Sequence, residues 1–293
     1  MHLLRGLSAL AAISLNSLVL CVPLYLLGVL RLVSRGRLRR RLGRWMDGVI
    51  QLWVAGNRAI FRLLGVTRLH RLWDGDAELS RDGWYLVVSN HQSWADILVL
   101  QNALWGHIPM LRFFAKRELI WVPVAGLAMW FLGFPYVRRF SAEQIAADPR
   151  LAELDRQTTL AACERFREQP SAVLSFLEGS RFTEAKREAR GSRFRNLLNP
   201  KLGGMSYVVD ALKDRIHKVL DVTIVYGGGV PTFWELLQGR CRRVQVVVRC
   251  LDLPPAIRAA GSADEVRERL RPWIEQLWQE KDARLTGLAG LAN

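Results

Sequence analysis

The chain has 293 residues, enough for one large domain, or a domain with an appendage, around a substantial core. It carries 42 Lys+Arg against 27 Asp+Glu, a formal charge of +15, so its partner is anionic: nucleic acid, a membrane surface or an acidic substrate. The four cysteines, Cys21, Cys163, Cys241 and Cys250, have no metal-ligand spacing, which excludes a cysteine-built metal site and points to buried thiols in a reducing compartment.

Eleven tryptophans and a positive mean hydropathy favour the membrane among these partners, because indole rings settle at the lipid–water interface. Residues 6–30 hold no charge, a length sufficient to cross a bilayer. Arg5 precedes them; Arg31, Arg35, Arg37, Arg39, Arg40, Arg41 and Arg44 follow, which places the C-terminal side in the cytoplasm. The run is too long for a cleaved signal peptide. Asn16 and Pro23 offer an alternative, a bend into a re-entrant hairpin, so the segment is membrane-embedded with its crossing left open. Residues 31–44 predict a helical or loose stretch on anionic headgroups, and 45–66 a second, amphipathic helix. Nucleic acid is the rival partner for such an arginine block. The absence of interleaved aromatic and basic strand motifs argues against it.

After the turn signal Asp74-Gly75-Asp76, strand-like and helix-like runs alternate. Strands are predicted over 84–89, 111–115, 136–137, 172–176, 220–226 and 244–251. Helices are predicted over 94–104, 122–132, 149–168 and 201–212. The capping-box pattern at 262–265 opens a last amphipathic helix to about Lys281. The alternation predicts an α/β domain, a central mixed sheet flanked by helices, preceded by a membrane-embedded helical segment. The division falls at 1–66 for the anchor and 67–293 for the α/β domain.

Three stretches carry chemistry. In Asn90-His91-Gln92-Ser93-Trp94-Ala95-Asp96 a strand runs into a helix with a histidine at the junction. On one continuous helix, five residues turn the chain by about 500° and leave the two side chains about 140° apart. His91 must therefore precede the helix and Asp96 open it, so that the carboxylate orients one ring nitrogen and frees the other as a base. A lone pair of this kind is more often structural than catalytic. Ser89 and Ser93 lie close enough in sequence to keep a covalent route open.

The second stretch, Glu178-Gly179-Ser180-Arg181, ends another strand. Gly179 permits close approach, Ser180 offers a hydroxyl, Arg181 has a fork suited to phosphate, and Glu178 could anchor that arginine or a substrate hydroxyl. An ordinary loop with a surface ion pair is the bland alternative. The third, Gly133-Phe134-Pro135-Tyr136-Val137-Arg138-Arg139, sets two guanidiniums after a short strand. Lys116 and Glu118 are weaker signals.

In order and character these blocks resemble the glycerolipid acyltransferases, the lysophosphatidic acid acyltransferase-like family. Its Asn-His-x-x-x-x-Asp block is 90–96, its Gly-x-x-aromatic-aliphatic-x-Arg block is 133–139 with Arg139 the matching arginine, and its Glu-Gly-Thr-Arg block is 178–181 with Ser180 for threonine. A fourth, hydrophobic block corresponds to Val222-Thr223-Ile224-Val225-Tyr226, followed here by Gly227 instead of proline. The resemblance covers residues 80–230 and comes closest to the bacterial inner-membrane branch related to lysocardiolipin acyltransferases.

The resemblance implies His91 as general base on a lysophospholipid hydroxyl, most readily that of 1-acylglycerol 3-phosphate, with Asp96 orienting it. Glu178, Gly179, Ser180 and Arg181 would bind the acceptor, assisted by Arg139. It implies an acyl-CoA or acyl-carrier-protein thioester as donor, no cofactor, no metal and no nucleic acid, in an inner membrane with the catalytic domain facing the cytoplasm. Backbone amides over 92–94 are the expected oxyanion donors. Two other readings are a hydrolase using the same His–Asp pair on a thioester or lipid ester, and a non-catalytic basic membrane-surface protein.

Overall fold

The computed structural model describes residues 1–75, 78–137, 144, 147–148 and 150–289. Arg138 and Arg139, and with them the arginine end of the third block, lie outside the described residues.

Two long helices come first, α1 (His2–Val33) and α2 (Gly36–Leu63). α1 runs unbroken through Asn16 and Pro23, so the hairpin turns instead at Ser34 and Arg35, with Gly36 at φ 57°. The reason Asn16 does not bend the helix is that it has partners across it. Its amide donates to the Trp53 carbonyl at 3.0 Å and to Asn57 Oδ1 at 2.9 Å, while Trp53 Nε1 donates to Ser17 Oγ at 2.8 Å. α2 is a single helix that takes in the arginine block. Leu42, Gly43, Met46, Val54, Asn57 and Phe61 recur at helical spacing and form its buried face, leaving the arginines outward.

The central sheet is six-stranded, ordered β1-β8-β7-β2-β6-β3. Its strands are β1 (Arg68–Asp74), β2 (Trp84–Ser89), β3 (Leu111–Phe113), β6 (Ala172–Ser175), β7 (Ile216–Tyr226) and β8 (Arg243–Leu251). All neighbours are parallel except β7 and β8, which makes the sheet mixed as expected. A parallel pair, β4 (Ala115–Lys116) and β5 (Tyr136–Val137), stands apart. Sequence patterning misses β1, whose residues are mostly exposed and which pairs in register with β8 from Arg68↔Arg243 to Asp74↔Arg249.

The helices cover both faces. One face carries α3 (Asp96–Leu104) and the N-terminal hairpin: Val87, Leu174, Val222 and Ile224 pack with Val99 and Leu100, and also with Ala9, Ile13 and Phe61. The other carries α5 (Arg150–Arg167), α7 (Gly203–Leu212) and α10 (Ala263–Ala289). There Leu86, Val88, Val173 and Val219 meet Phe166, Val209, Ile274 and Trp278. Between these lie a 3-10 turn (Arg117–Trp121), α4 (Ala125–Phe131), α6 (Glu184–Ala189), α8 (Phe233–Leu237) and α9 (Pro255–Arg258). α10 runs past the expected end at Lys281 because its last turns are anchored. Asp282 accepts from the backbone amides of Arg195 and Asn196, and Leu285 is buried.

Candidate active site

The sheet register brings the first two motifs together. β2 and β6 run parallel with Val88 opposite Ser175. His91 and Glu178 each follow three residues later, at the carboxyl ends of adjacent strands, where open α/β sheets bind ligands. Two hydrogen bonds join the loops: His91 N donates to Glu178 Oε1 at 2.7 Å, and Phe182 N donates to the His91 carbonyl at 2.7 Å.

His91 precedes the helix and Asp96 is its first residue, the arrangement that the spacing argument requires. His91 Nδ1 lies 2.8 Å from Asp96 Oδ2. The same oxygen accepts from the amides of Gln92 at 2.6 Å and Ser93 at 3.0 Å, while Oδ1 accepts from the Tyr226 hydroxyl at 2.5 Å. The carboxylate is fully buried and surrounded by donors, so it is fixed in place. One face of the imidazole stacks on Phe176, with centroids 4.0 Å apart and planes at 16°. Nδ1 is committed to Asp96, so Nε2 is the nitrogen left for an external proton, on a side chain 18% exposed.

Asn90 is buried behind the histidine. Its amide donates to the Ile224 carbonyl at 3.0 Å and its oxygen accepts from Ile224 N at 2.8 Å, completing a backbone-like pair with β7 beyond the end of β2. Ser89 and Ser93 hydroxyls are both buried and donate to carbonyls, of Asn90 and of Pro231. Neither is presented as a nucleophile. Two of the amides expected to stabilise an oxyanion, those of Gln92 and Ser93, are spent on Asp96, which removes them from that role.

Glu178 differs from its expected place. The sequence suggests a carboxylate turned to Arg181 or to a substrate hydroxyl. The structure buries it completely, with Oε1 on His91 N and Oε2 accepting from Leu198 N at 2.9 Å. Burial pushes its carboxyl up to about 7, against the opposing pull of those two amides. Glu178 thus braces the histidine loop against the 192–200 segment.

Gly179 has φ 68°, and a Cβ there would stand 3.2 Å from Lys201 Cδ, so both conformation and space favour glycine. The turn presents Ser180 and Arg181. Ser180 Oγ is enclosed without a hydrogen-bond partner. The Arg181 guanidinium lies 4.8 Å over the Trp94 ring, and among the described residues no carboxylate pairs with it. A guanidinium over an aromatic face with no carboxylate partner has the chemistry to meet an anion. Gly133 and Tyr136 line a separate cavity of about 980 Å³, whereas Arg139 lies outside the described residues.

Sequence reasoning missed Tyr226 as a site residue. The signal was available: β7 pairs parallel with β2 and continues four residues past the Ser89↔Val222 pair, so its last residue must stand beside the 90–96 loop. Phe176 was read only as the end of a strand. Among the described residues no cluster of His, Cys, Asp and Glu could hold a metal.

A histidine held by a buried carboxylate stands at the strand ends of a mixed α/β sheet, with an arginine that no carboxylate neutralises among the described residues on the neighbouring loop. The family model for acyltransferases matches residues 53–227, more than half of the chain, and the chain belongs to that family. It is similar to the human 1-acyl-sn-glycerol-3-phosphate acyltransferase delta, 27% identical over 211 residues covering 68% of this chain and 51% of that protein. The mouse 1-acyl-sn-glycerol-3-phosphate acyltransferase gamma is likewise 27% identical over 211 residues, with 68% and 51% covered. The chain therefore spans about half the length of these curated relatives. The crystal structure of the 1-acyl-sn-glycerophosphate (LPA) acyltransferase PlsC of Thermotoga maritima matches the fold, with TM-score 0.50, 15% identity, and 91% of this chain and 97% of that one covered.

Proposed function

We propose that the protein is a membrane-bound O-acyltransferase that moves a fatty acyl group from an acyl-CoA or acyl-carrier-protein thioester to a lysophospholipid hydroxyl, with 1-acylglycerol 3-phosphate the favoured acceptor. The observation that carries this reading is the His91–Asp96 pair, with Asp96 bonded to Tyr226 and two backbone amides and Nε2 free. In the step, Nε2 takes the hydroxyl proton as the oxygen attacks the thioester carbonyl. The tetrahedral intermediate collapses, the C–S bond breaks, and the imidazolium returns its proton to the departing thiolate. Arg181 and Ser180 hold the acceptor phosphate, with Arg139 assisting. Glu178 acts through the backbone of His91.

An apolar cavity of about 510 Å³ lies beside the first turn of α3, lined by Ile97, Leu98, Trp53, Leu24 and Met129, and it suits an acyl chain. α1 touches the α/β layer at both ends: His2 Nδ1 is 2.9 Å from the Gln238 carbonyl, and Gly28 packs on Phe131 of α4. A helix tied down at both ends on one domain supports an anchor lying within one leaflet rather than crossing it. We place residues 1–66 as that anchor, on the cytoplasmic leaflet of an inner membrane.

The test is thioester-dependent acyl transfer by His91→Ala in membranes. We expect a loss of roughly 10²–10⁴-fold. Retention of most of the wild-type rate would remove His91 as base, and product formation independent of added lysophospholipid would make the protein a hydrolase.

A further inference from the structure

The segment from the 3-10 turn to β5 gives its inner side chains to the apolar cavity, while its outer surface is unusual. Residues 119–137 carry no charged side chain. Trp121 is 85% exposed, and Ile120, Val122, Leu127 and Trp130 are exposed beside it. This is a built element and not a loose loop. A Cβ at Gly126 would lie 2.1 Å from the Ile120 carbonyl, so the turn is seated directly on α4, and the Tyr136 hydroxyl donates to the Gly126 carbonyl at 2.7 Å. Val124 sits between them at φ 65°, a conformation costly for a β-branched residue, and its carbonyl accepts from Tyr25 of α1 at 2.6 Å.

From these observations we infer that the Ile120–Trp130 element is a second membrane-inserting device, dipping into the same leaflet as α1. The inference rests on the membrane-bound reading above. Its occupant is a phospholipid bilayer, for three reasons. The apolar patch is continuous with the exposed Val22, Leu26, Val29 and Leu30 of α1 through the Tyr25–Val124 and Gly28–Phe131 contacts. Its most projecting residue is a tryptophan, suited to the interface. Exposed Lys116 and Arg117 stand at its base, where anionic headgroups would lie. The element also walls two cavities, since Val124 and Met129 line the 510 Å³ apolar space while Trp121 and Trp130 line the 980 Å³ one. Insertion would open these spaces to lipid without carrying the substrate through water.

The experiment uses the full chain in phosphatidylethanolamine–phosphatidylglycerol vesicles, with Cys21→Ser and Cys250→Ser to limit labelling to chosen sites. Nitroxide labels are placed singly through Trp121→Cys, Val22→Cys on α1 and Glu188→Cys on exposed α6. Trp121 is so exposed that its replacement leaves the packing intact. We expect the label at 121 to match that at 22, with a several-fold higher ratio of oxygen to aqueous nickel-chelate accessibility than at 188. A label at 121 that behaves like 188, or is shielded from both reagents by a protein neighbour, overturns the inference while 22 remains in lipid. If 22 also reads as aqueous, the membrane-bound reading fails together with it.

Discussion

At the scale of single residues, the site is a carboxylate problem: two buried carboxylates serve one histidine in different ways. Asp96 binds the ring, and its second oxygen is occupied by Tyr226, whose hydroxyl is pushed well above its ordinary range by burial and by the Asp96 charge. That phenol remains a donor throughout the working pH range. Tyr226→Phe removes one donor from a buried carboxylate, at a cost of about 1.5–3 kcal/mol for a charge-assisted bond. We expect kcat to fall about tenfold with little change in acceptor KM, because Tyr226 acts on Asp96 and not on substrate. Glu178 binds the backbone, and its pH behaviour follows from its carboxyl lying at about 7 in the fold, above its ordinary value. A raised carboxyl contributes stability that is fully present below its unfolded value and is lost as pH rises through about 7. Glu178→Gln cannot accept from both His91 N and Leu198 N, so we expect it to be less stable than wild type by about 1–3 kcal/mol. That gap should narrow as pH rises from 5 to 8, which denaturation of both proteins at several pH values would measure; a gap independent of pH would show that Glu178 titrates normally. His91 and Asp96 were legible from sequence because a spacing of five on a strand–helix junction has one geometric solution. The side-chain destination of Glu178 was not, because both of its partners are backbone amides, which every sequence supplies.

At the scale of elements, the strands and helices that pack by clear periodicity were readable. Those defined by a neighbour were not. β1 has no alternating pattern, because it is an exposed edge strand specified by its pairing with β8. The 31–44 stretch reads as either helical or loose, and from Gly36 it is helix because Leu42, Gly43 and Met46 form one buried stripe. Glycines set the docking of the hairpin. At Gly28 a Cβ would meet the Phe131 ring at 2.3–2.8 Å, so the ring of α4 is seated directly on the α1 backbone. Gly28→Leu should force these helices apart at a cost of about 1–3 kcal/mol. The measurable result is a lower apparent Tm in detergent. If α1 and α4 packed independently, the substitution would leave the Tm within error of wild type.

At the scale of the whole molecule, the C-terminal helix reaches the active site from behind. Lys281 is fully buried on α10, with Nζ 2.5 Å from Asp221 Oδ1 and from the Val222 carbonyl on β7. Burial depresses its ammonium, and the Asp221 charge opposes that shift. One turn earlier, Trp278 Nε1 donates to the Leu198 carbonyl at 3.0 Å, and the Leu198 amide in turn donates to Glu178, which holds His91. The chain of contacts therefore runs from α10 through the 192–200 segment to His91, over residues far apart in sequence. An amphipathic pattern showed that the helix exists but not what its lysine touches. Removing one partner of a buried ion pair costs about 3–5 kcal/mol. Arg249 at 3.6 Å and Arg284 at 3.5 Å remain near Asp221, so Lys281→Met should fall at the low end of that range. Its catalytic effect should be distinguishable from simple unfolding. At a temperature where the variant is still folded, kcat should drop while the acceptor KM holds, because the Gly179–Arg181 turn, proposed to bind the acceptor, has its own support in the Gly179 N to Phe176 carbonyl bond at 3.0 Å. Equal losses in kcat and in binding would instead place α10 in general stability, with no line to the histidine.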